Sequence, residues 1–201
     1  MKVKILMVPQ PITISKTASI SAAIDLMKIN SIRHLPVVDA ERRLEGLLTL
    51  ADLKQGLIPS MLGDLTLCDL IIENPVTVDP DSDVEIAARL IYQHKISGIP
   101  VVKEGTLVGI ITETDILRAF IDMMGILTSS SRIDVKIEDK PGEFKRALQT
   151  INDTGGDIVN VGMAAQHSAD RLYFFRLSPC QTGPIRRALE QAGFTVLDAM
   201  D

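Results

Sequence analysis

Hydrophobic and polar positions follow the same order in two stretches of the chain. A helical period of apolar residues occurs in both, at Ile20, Ala23, Ile24 and Met27 and again at Val84, Ala87, Ala88 and Ile91. Each helical pattern is followed by a pair of apolar runs, at 35–38 and 46–49 in the first stretch and at 99–102 and 109–112 in the second. Continuous apolar runs of this length indicate buried strands. Each stretch is therefore predicted to fold as strand, helix, strand, strand, helix.

The two stretches are copies of one unit, because one difference in residue number relates them as far as the turn between the two apolar runs, where an extra residue in the first copy reduces it by one (109 − 46 = 63). Pro75 follows Pro11 by 64 residues, and Pro100 follows Pro36 by the same number (75 − 11 = 100 − 36 = 64). We call this difference the repeat offset, and it marks a duplicated supersecondary module. Two packed copies create a pseudo-twofold seam with a shared cleft, where a small-molecule site is expected. The copies span residues 9–53 and 73–116.

Local signals in both copies agree with this assignment. Ser19 and Asp83 are related by the repeat offset (83 − 19 = 64), and each is placed to cap a helix. A side-chain oxygen at such a position accepts a backbone N–H that would otherwise lack a partner. Pro36 and Pro100 cannot donate a ladder hydrogen bond, which indicates edge positions or a bend beside a cleft.

The pattern Thr-x-x-Asp occurs where the second apolar run of each copy meets a helix, as Thr49 with Asp52 and as Thr112 with Asp115. A threonine hydroxyl and the free N–H groups of a first helical turn favour phosphate, and a nearby carboxylate can accept both hydroxyls of a ribose. The same spacing also occurs in a helix cap, in which the acidic side chain bonds back to the helix start. The spacing alone is compatible with both interpretations.

Composition narrows the class of protein. The chain has 201 residues, and 46% of them are hydrophobic, which suffices for a buried core. Its 2 cysteines, Cys68 and Cys180, form neither a disulfide framework nor a zinc motif, which favours a reducing compartment. The apolar run at the start is too short for a signal peptide or a membrane span, so we expect a cytoplasmic protein with no membrane partner. A net charge of −5 without a basic cluster argues against nucleic acid as a partner.

The character of the sequence changes after residue 124. The Ser-containing segment 125–130 is typical of a linker. Beyond it, alternation at Ile133, Val135 and Ile137 predicts a strand, and the later segments predict a helix, two strands, a helix and a strand. The order βαββαβ is that of a ferredoxin-like domain over 131–201. The chain as a whole is thus of mixed α+β and α/β class.

The duplicated part of the chain resembles the CBS family. Three repeated elements carry the resemblance: N/Q-P-x-T at 10–13 and 74–77, hydrophobic-P-V-V at 35–38 and 99–102, and G-hydrophobic-hydrophobic-T-x-x-D at 46–52 and 109–115. The resemblance implies a Bateman module, in which two CBS motifs of βαββα form pack through their sheets. Such a module presents up to two clefts for adenosine-containing ligands. The motifs are expected at 1–62 and 63–124.

The resemblance also implies which residues contact the ligand. Thr49, Asp52, Thr112 and Asp115 match phosphate and ribose positions. The other implied contacts are Thr13 and Thr77 in the opening loops and Leu35 and Ile99 beside the adenine, where backbone groups would read the base.

Arg33 and His34 are implied to reach phosphates that Thr112 of the other copy also holds. The second copy has Ser97 and Gly98 at these places, so at most one strong site is expected. Arg33 is equally compatible with a solvated charge at a helix end.

The last part of the chain resembles an ACT domain. The sequence V-K-I-E-D-K-P-G-E-F followed by G-G-D-I carries this resemblance over roughly residues 131–201. It implies an amino acid pocket bordered by Asp139, Gly142 and Asp157, or a surface that pairs two copies. A proline and a glycine at a helix start are also sufficient for a tight turn alone. One such domain in each chain predicts a homodimer, because a four-stranded sheet leaves an edge that a symmetric partner can cover.

No constellation of nucleophile, base and orienting group is evident, and His94 and His167 have no acidic or histidine neighbours, so neither an enzyme nor a metal site is expected. The order CBS then ACT is similar to that of the acetoin utilisation (AcuB-like) regulatory proteins. This similarity implies a regulator of acetoin or related carbon metabolism that senses AMP, ADP or ATP, needs no cofactor and signals to a protein partner. The alternative is a structural assembly module with no nucleotide ligand.

Overall fold

The computed structural model describes residues 1–56, 66–126, 130–164 and 170–201. These residues form two compact units, Met1–Arg118 and Ala119–Asp201. The domain bounds inferred from the sequence stay a prediction. The predicted junction of the two CBS motifs at 62 and 63 lies outside the described residues, as do residues 127–129 of the predicted linker.

The first repeat opens with a short helix and a short strand and continues with a helix, a hairpin and a second helix. Its elements are α1 (Val3–Leu6), β1 (Val8–Pro9), α2 (Ile20–Ile29), β2 (His34–Val38), β3 (Leu44–Thr49) and α3 (Leu50–Gly56). Strands β2 and β3 are antiparallel, with Leu35 opposite Leu48. The apolar face of α2, the inward side chains of the hairpin and a leucine of α3 form one core, which contains Ala23, Met27, Leu35, Val37, Leu48 and Leu53.

The second repeat has the same order. A 3-10 helix at Leu67–Leu70 is followed by α4 (Val84–His94), β4 (Gly98–Lys103), β5 (Thr106–Thr112) and α5 (Glu113–Met123). The predicted order of helix, strand, strand and helix is thus confirmed in both copies. The predicted first strand of each copy is reduced to one parallel bridge, Ile14 to Val37 and Val78 to Val101.

Each repeat contributes its first residues to the fold of the other repeat. Val3 lies in the core of the second repeat, and β1 joins the sheet of β5 and β4. Leu67, the equivalent of Val3 at the repeat offset (67 − 3 = 64), lies in the core of the first repeat, and Ile72 bridges to β3. We call the exchanged segments, residues 3–9 and 67–72, the arms.

The glycine that opens the repeated G-hydrophobic-hydrophobic-T element makes room for the arms. A Cβ atom on Gly46 in β3 would overlap the side chain of Ile71, and one on Gly109 in β5 would overlap that of Met7. Ile71 and Met7 are equivalent residues of the two arms (71 − 7 = 64). Close approach of another segment is a recognised reason for glycine within a strand. The motif glycine is therefore a consequence of the exchange.

The second unit is a four-stranded antiparallel sheet with two helices on one face. Its strands are in the order β7-β8-β6-β9, and all neighbouring pairs are antiparallel. Its core includes Ile133, Val135, Ile151 and Phe175. Its elements are β6 (Ser131–Glu138), α6 (Glu143–Asp153), β7 (Ile158–Ala164), β8 (Asp170–Leu177), α7 (Thr182–Gln191) and β9 (Thr195–Met200). The element order and the strand order are those of the predicted ferredoxin-like plan.

One of the two predicted helix caps is present. The Ser19 side chain accepts a hydrogen bond from the backbone N–H of Ala22 at 3.1 Å. Asp83 makes no such bond, and the prediction of a cap there is wrong. Its carboxylate lies 2.9 Å from Nζ of Lys2, which directly precedes the first arm. Lys2 reaches Asp83 because the first arm packs on the second repeat, and the repeat pattern in the sequence did not reveal this exchange of arms.

Val3→Ala tests the exchange of the arms. Val3 is 0% exposed, so removing its two methyl groups should lower the free energy of unfolding by roughly 1–3 kcal/mol. Ile5→Ala is the matched control, since Ile5 lies in the same short helix and is 66% exposed. The control should change the free energy by less than about 0.5 kcal/mol. Urea denaturation measures both variants, and equal losses would contradict the position of Val3.

Candidate functional site

Two clefts lie at the seam between the repeats, and each takes residues from both. The Thr49 cleft has a volume of about 590 Å³ and sets Thr49 of the first repeat opposite the loop 74–76 of the second. The Thr112 cleft has a volume of about 380 Å³ and sets Thr112 opposite the loop 10–12 of the first repeat. The two loops are equivalent at the repeat offset (74 − 10 = 64), so the clefts are related by the pseudo-twofold seam that the repeat predicts.

The Thr-x-x-Asp residues form the same hydrogen bonds at both helix starts. The backbone N–H and the Oγ1 hydroxyl of Thr112 donate to Oδ2 of Asp115 at 2.8 and 2.6 Å, and the Asp115 N–H donates back to Oγ1 at 3.3 Å. Thr49 and Asp52 have the corresponding distances of 3.1, 2.5 and 3.3 Å. These bonds form a reciprocal cap. Within the described part of the chain, Oδ1 of Asp115 has no hydrogen-bond partner and is therefore available to a ligand.

A third copy of the pattern, Thr66 with Asp69, lies outside both clefts. Oγ1 of Thr66 donates to Oδ2 of Asp69 at 2.7 Å, and the Thr66 N–H donates to the same oxygen at 2.8 Å. Neither residue lines the Thr49 cleft or the Thr112 cleft. The position opposite a loop of the other repeat distinguishes the two cleft pairs from this simple cap.

His34 lies at the seam and lines both clefts. It is 8% exposed, and a Cβ atom on Gly98 would lie 3.0 Å from its ring. Nε2 of His34 and Oγ of Ser97 share a hydrogen bond at 2.7 Å. Burial lowers the pKa of His34, the nearby Arg33 lowers this pKa further, and Glu113 acts in the opposite direction. The imidazole is therefore neutral near pH 7 and adds no positive charge to either cleft.

This contact explains why the two copies differ here. His34 and Gly98 are equivalent positions (98 − 34 = 64), and the histidine ring of one lies against the backbone of the other. A second bulky side chain at residue 98 would overlap the first, because packed interiors leave no such space. Glycine gives the room, and Ser97 gives the ring its hydrogen-bond partner.

Arg33 also lines both clefts. One of its guanidinium nitrogens lies 3.5 Å from a carboxylate oxygen of Glu113 in the other repeat, and the Arg33 side chain is 59% exposed. An exposed ion pair of this kind is weak. The guanidinium can therefore leave Glu113 and turn towards an anion in either cleft.

The structure brings together only some of the predicted site residues. Arg33, His34, Thr112 and Asp115 line one cleft, and Thr49 lines the other with the same arginine and histidine. Thr13, Asp52 and Thr77 are not among the described residues that line either cleft.

Leu35 and Ile99 are buried, as the continuous apolar runs at 35–38 and 99–102 predicted. Both are 0% exposed and belong to the cores of the first and the second repeat. Their side chains pack against the protein interior, so contact with a base from these positions is left to the backbone.

Sequence reasoning missed two cations of the Thr49 cleft, Lys54 and Lys95. Lys95 shows that the second copy also supplies a positive charge to a cleft, at a position other than 97 and 98, and the expectation of at most one strong site stays a prediction. Lys95 ends α4 in a left-handed conformation with φ of 54°, and its equivalent Ser31 has φ of 53° (95 − 31 = 64). The repeat offset applied to every polar position, rather than to the family motif alone, could have identified this lysine.

The three residues predicted to border an ACT pocket do not meet within one chain. Glu138 pairs with Asp170 at one end of β8, whereas Ile158 pairs with Leu177 at the other end. The length of β8 separates these ends, a distance of about 23 Å at the usual rise of a strand. Asp139 follows Glu138 and Asp157 precedes Ile158, so the antiparallel register holds them apart.

Each of the two aspartates has its own partner. The carboxylate of Asp139 pairs with Arg171, and that of Asp157 accepts a hydrogen bond from Oγ of Ser178 at 2.7 Å. Gly142 precedes α6 with a φ of 92°, which suits glycine and fits a tight turn.

Over the part of the chain that the structure describes, no group of three or more His, Cys, Asp or Glu side chains could hold a metal ion. In the same residues, every helix is too short or too polar to cross a membrane. His94 is exposed at the end of α4, and His167 lies outside the described residues.

Comparison with known families agrees with the duplicated fold. The CBS domain family model matches residues 3–58 and 67–122, and these ranges begin at Val3 and Leu67, equivalent residues of the two arms. The chain therefore belongs to the CBS domain family.

Solved structures of CBS pairs superpose on part of the chain. A candidate acetoin utilization protein (AcuB) from Vibrio cholerae is 31% identical, with a TM-score of 0.56 over 63% of this chain and 95% of that one. The CBS pair of protein MJ0100, in complex with 5'-methylthioadenosine and S-adenosyl-L-methionine, is 32% identical with a TM-score of 0.56 over 60% and 99%. CBSX2 in complex with AMP is 29% identical with a TM-score of 0.54 over 60% and 96%.

Curated relatives place the CBS pair in proteins of different kinds. Inosine-5'-monophosphate dehydrogenase from Nitrosopumilus maritimus (strain SCM1) is 28% identical over 83% of this chain, which spans only 34% of the dehydrogenase. A CBS domain-containing protein from Dictyostelium discoideum is 31% identical over 61% of this chain and 92% of its own length.

Gly98→Ala tests the packing of His34 at the seam. The added methyl group would lie 3.0 Å from the imidazole, so the free energy of unfolding should fall by roughly 1–3 kcal/mol. In a His34→Ala background the ring is absent, and the same methyl group should cost at least about 1 kcal/mol less.

Gly183→Ala is the control for the change from glycine to alanine, because its nearest neighbour would be Arg187 at 3.9 Å. Thermal and urea unfolding of the single and double variants give the coupling energy. Additive effects of Gly98→Ala and His34→Ala would show that the two positions do not touch.

Proposed function

We propose that this protein is a non-catalytic regulator that binds an adenosine-containing ligand, AMP, ADP or ATP, in the clefts of its CBS pair. The observation that carries the proposal is the composition of the clefts. The capped helix start of Thr112 and Asp115 in one repeat faces an opening loop of the other, and a carboxylate oxygen remains available between them.

The chemistry of the Thr112 cleft suits a nucleoside. Oδ1 of Asp115 can accept hydrogen bonds from ribose hydroxyls. The walls supply apolar surface for a planar base from Ile12, Ile32 and Ile110. The Thr49 cleft has the matching apolar residues Val76, Ile96 and Leu47.

Two of the structural relatives support the ligand class. MJ0100 is described in complex with two adenosine derivatives, and CBSX2 in complex with AMP. We extend this ligand class to the present chain because its Thr112 cleft contains a carboxylate that suits a ribose and both clefts have apolar walls that suit an adenine.

The proposed regulation is thermodynamic linkage. A ligand that prefers one arrangement of the two repeats shifts the protein towards that arrangement, and a protein partner that distinguishes the arrangements is affected in turn. The similarity to the Vibrio cholerae protein supports a role near acetoin or related carbon metabolism. The cysteines Cys68 and Cys180 are unpaired, which agrees with the reducing cytoplasm that we propose as its location.

For the second unit we propose an ACT-like role in dimerisation or in amino acid sensing between two copies. Its strand order supports this role. The separation of Asp139 from Asp157 favours an arrangement in which a second copy, rather than the same chain, completes any pocket. Both edge strands expose apolar residues that a partner could cover: Val159, Met163, Leu197 and Met200.

A structural assembly module without a ligand is the second candidate. The caps at Thr49 and Thr112 are complete without any added group, as the cap at Thr66 also shows. This observation favours the view that the Thr-x-x-Asp residues only stabilise helix starts.

Titration calorimetry with Asp115→Asn decides between these candidates. The asparagine oxygen can keep the cap to Thr112, while the amide group replaces the oxygen that would accept the ribose hydroxyls. We expect at least one of adenosine, AMP, ADP and ATP to bind the wild-type chain, with a tenfold or greater loss at this cleft in the variant. A ligand at a hundredfold excess over its Kd should stabilise the wild type by about 2.7 kcal/mol.

Asp69→Asn is the matched control, because it alters the same kind of cap outside both clefts. It should leave nucleotide affinity unchanged. Absence of binding to the wild-type chain, or equal affinity of the Thr112 cleft in the wild type and in Asp115→Asn, would support the assembly module instead.

The proposed dimer has a separate test. Sedimentation of the full chain should give twice the chain mass of 22.0 kDa. Two single variants, Val159→Lys in β7 and Leu197→Lys in β9, each place a charge on an exposed position of one edge strand. The variant whose strand forms the dimer contact should sediment as a monomer. Monomeric behaviour of the wild-type chain at all concentrations would refute the pairing.

A further inference from the structure

The two clefts differ in charge although their positions are equivalent. Arg33, Lys54 and Lys95 line the Thr49 cleft, and no carboxylate is among its described lining residues. The Thr112 cleft has Arg33 and the carboxylate of Asp115. The Thr49 cleft thus has three positive charges, whereas the Thr112 cleft has one positive and one negative charge. The more positive cleft is also the larger, at about 590 Å³ against about 380 Å³.

The difference depends on the two lysines. Arg33 is common to both clefts and is partly compensated by Glu113 at 3.5 Å. Nζ of Lys54 and Nζ of Lys95 have no carboxylate within ion-pair distance in the described ranges, so their charge is available to a ligand. His34 cannot replace them in the Thr112 cleft, because its buried ring is held by Ser97.

The repeat offset identifies the residue of the other repeat that corresponds to each lysine. Lys95 corresponds to Ser31 at the repeat offset, and the two share a left-handed backbone with φ of 54° and 53°. Lys54 corresponds to Leu117, because the longer turn of the first copy reduces the offset by one from there on (117 − 54 = 115 − 52 = 63). Both cations are therefore specific to the Thr49 cleft.

We propose that the clefts select adenosine ligands of different charge. The Thr49 cleft takes a nucleoside di- or triphosphate, whose phosphate chain Lys54 and Lys95 neutralise. The Thr112 cleft takes an adenosine compound without a phosphate chain, since its single arginine is balanced by Asp115. This inference rests on the proposed function and adds a ligand class to each cleft.

The test exchanges the lysines for the residues of the other repeat. Lys54→Leu with Lys95→Ser gives the Thr49 cleft the side chains that the second repeat already has at the equivalent positions. We expect affinity for ATP to fall at least tenfold, affinity for adenosine to stay the same, and the dependence of ATP binding on salt to weaken. Lys28→Leu with Lys145→Ser is the charge-matched control, because both lysines are exposed and lie outside the clefts.

The reciprocal variant adds the charge to the other cleft. Ser31→Lys should fold normally, because Lys95 adopts the same backbone conformation at the equivalent position. Calorimetry should then show a second ATP site on each chain. Unchanged ATP affinity in Lys54→Leu with Lys95→Ser would overturn the proposal, and so would equal ATP affinity of the two wild-type clefts.

Tripolyphosphate separates this inference from the proposed function, because it has no base or ribose. Its binding to the wild type and its loss in the lysine double variant would support a polyphosphate cleft even if adenosine did not bind. Binding of adenosine without any binding of ATP or tripolyphosphate would retain the proposed function and reject the charge selection. Failure of all three probes would reject both.

Discussion

The exchange of arms between the two repeats is the constraint on which both clefts depend. Val3 and Leu67 each fill the core of the other repeat, so neither repeat has a complete core on its own. Burial of these side chains fixes how the two sheets meet at the seam. The same contact sets each Thr-x-x-Asp helix start opposite an opening loop of the other copy. Hydrophobic burial at the arms thus produces the geometry of the clefts.

The two repeats cannot have identical side chains where they come closest to each other. Only one bulky side chain fits between the clefts, and His34 occupies that space against Gly98. The hydrogen bond to Ser97 satisfies the buried ring, which would otherwise carry the cost of an unpaired polar group. Ser97 and Gly98 therefore both differ from their equivalents in the first repeat because both accommodate the ring of His34. The loss of a positive group at residues 97 and 98 follows from this packing and gives no measure of how strongly a cleft binds.

Much of the fold could be predicted from sequence because it depends on local patterns. Helical and strand periods, the repeat offset and the cap at Ser19 are all readable along the chain. The arms could not be predicted, since short apolar segments such as 67–72 carry no period that shows which core they join. Asp83 does not form its predicted cap for the same reason, because the exchange of the arms brings its partner Lys2 close to it.

The candidate site was predictable where the family motif and the local fold coincide, as at Thr112 and Asp115, which both lie at a helix start. The side chain of Leu35 belongs to the core, as its continuous apolar run predicted, which leaves only its backbone for contact with a base.

Under the proposed function, the residues that line both clefts would prevent the clefts from binding ligands independently. Arg33 lines both and has one guanidinium group, so a phosphate that draws it into one cleft removes it from the other. His34 separates the clefts, and any ligand that displaces its ring must break the bond to Ser97 and disturb the opposite wall. Linkage requires that such an effect be reciprocal. Under the proposed function, Arg33 and His34, which line both clefts, would therefore couple the two sites, whereas Lys54 and Lys95 make them different.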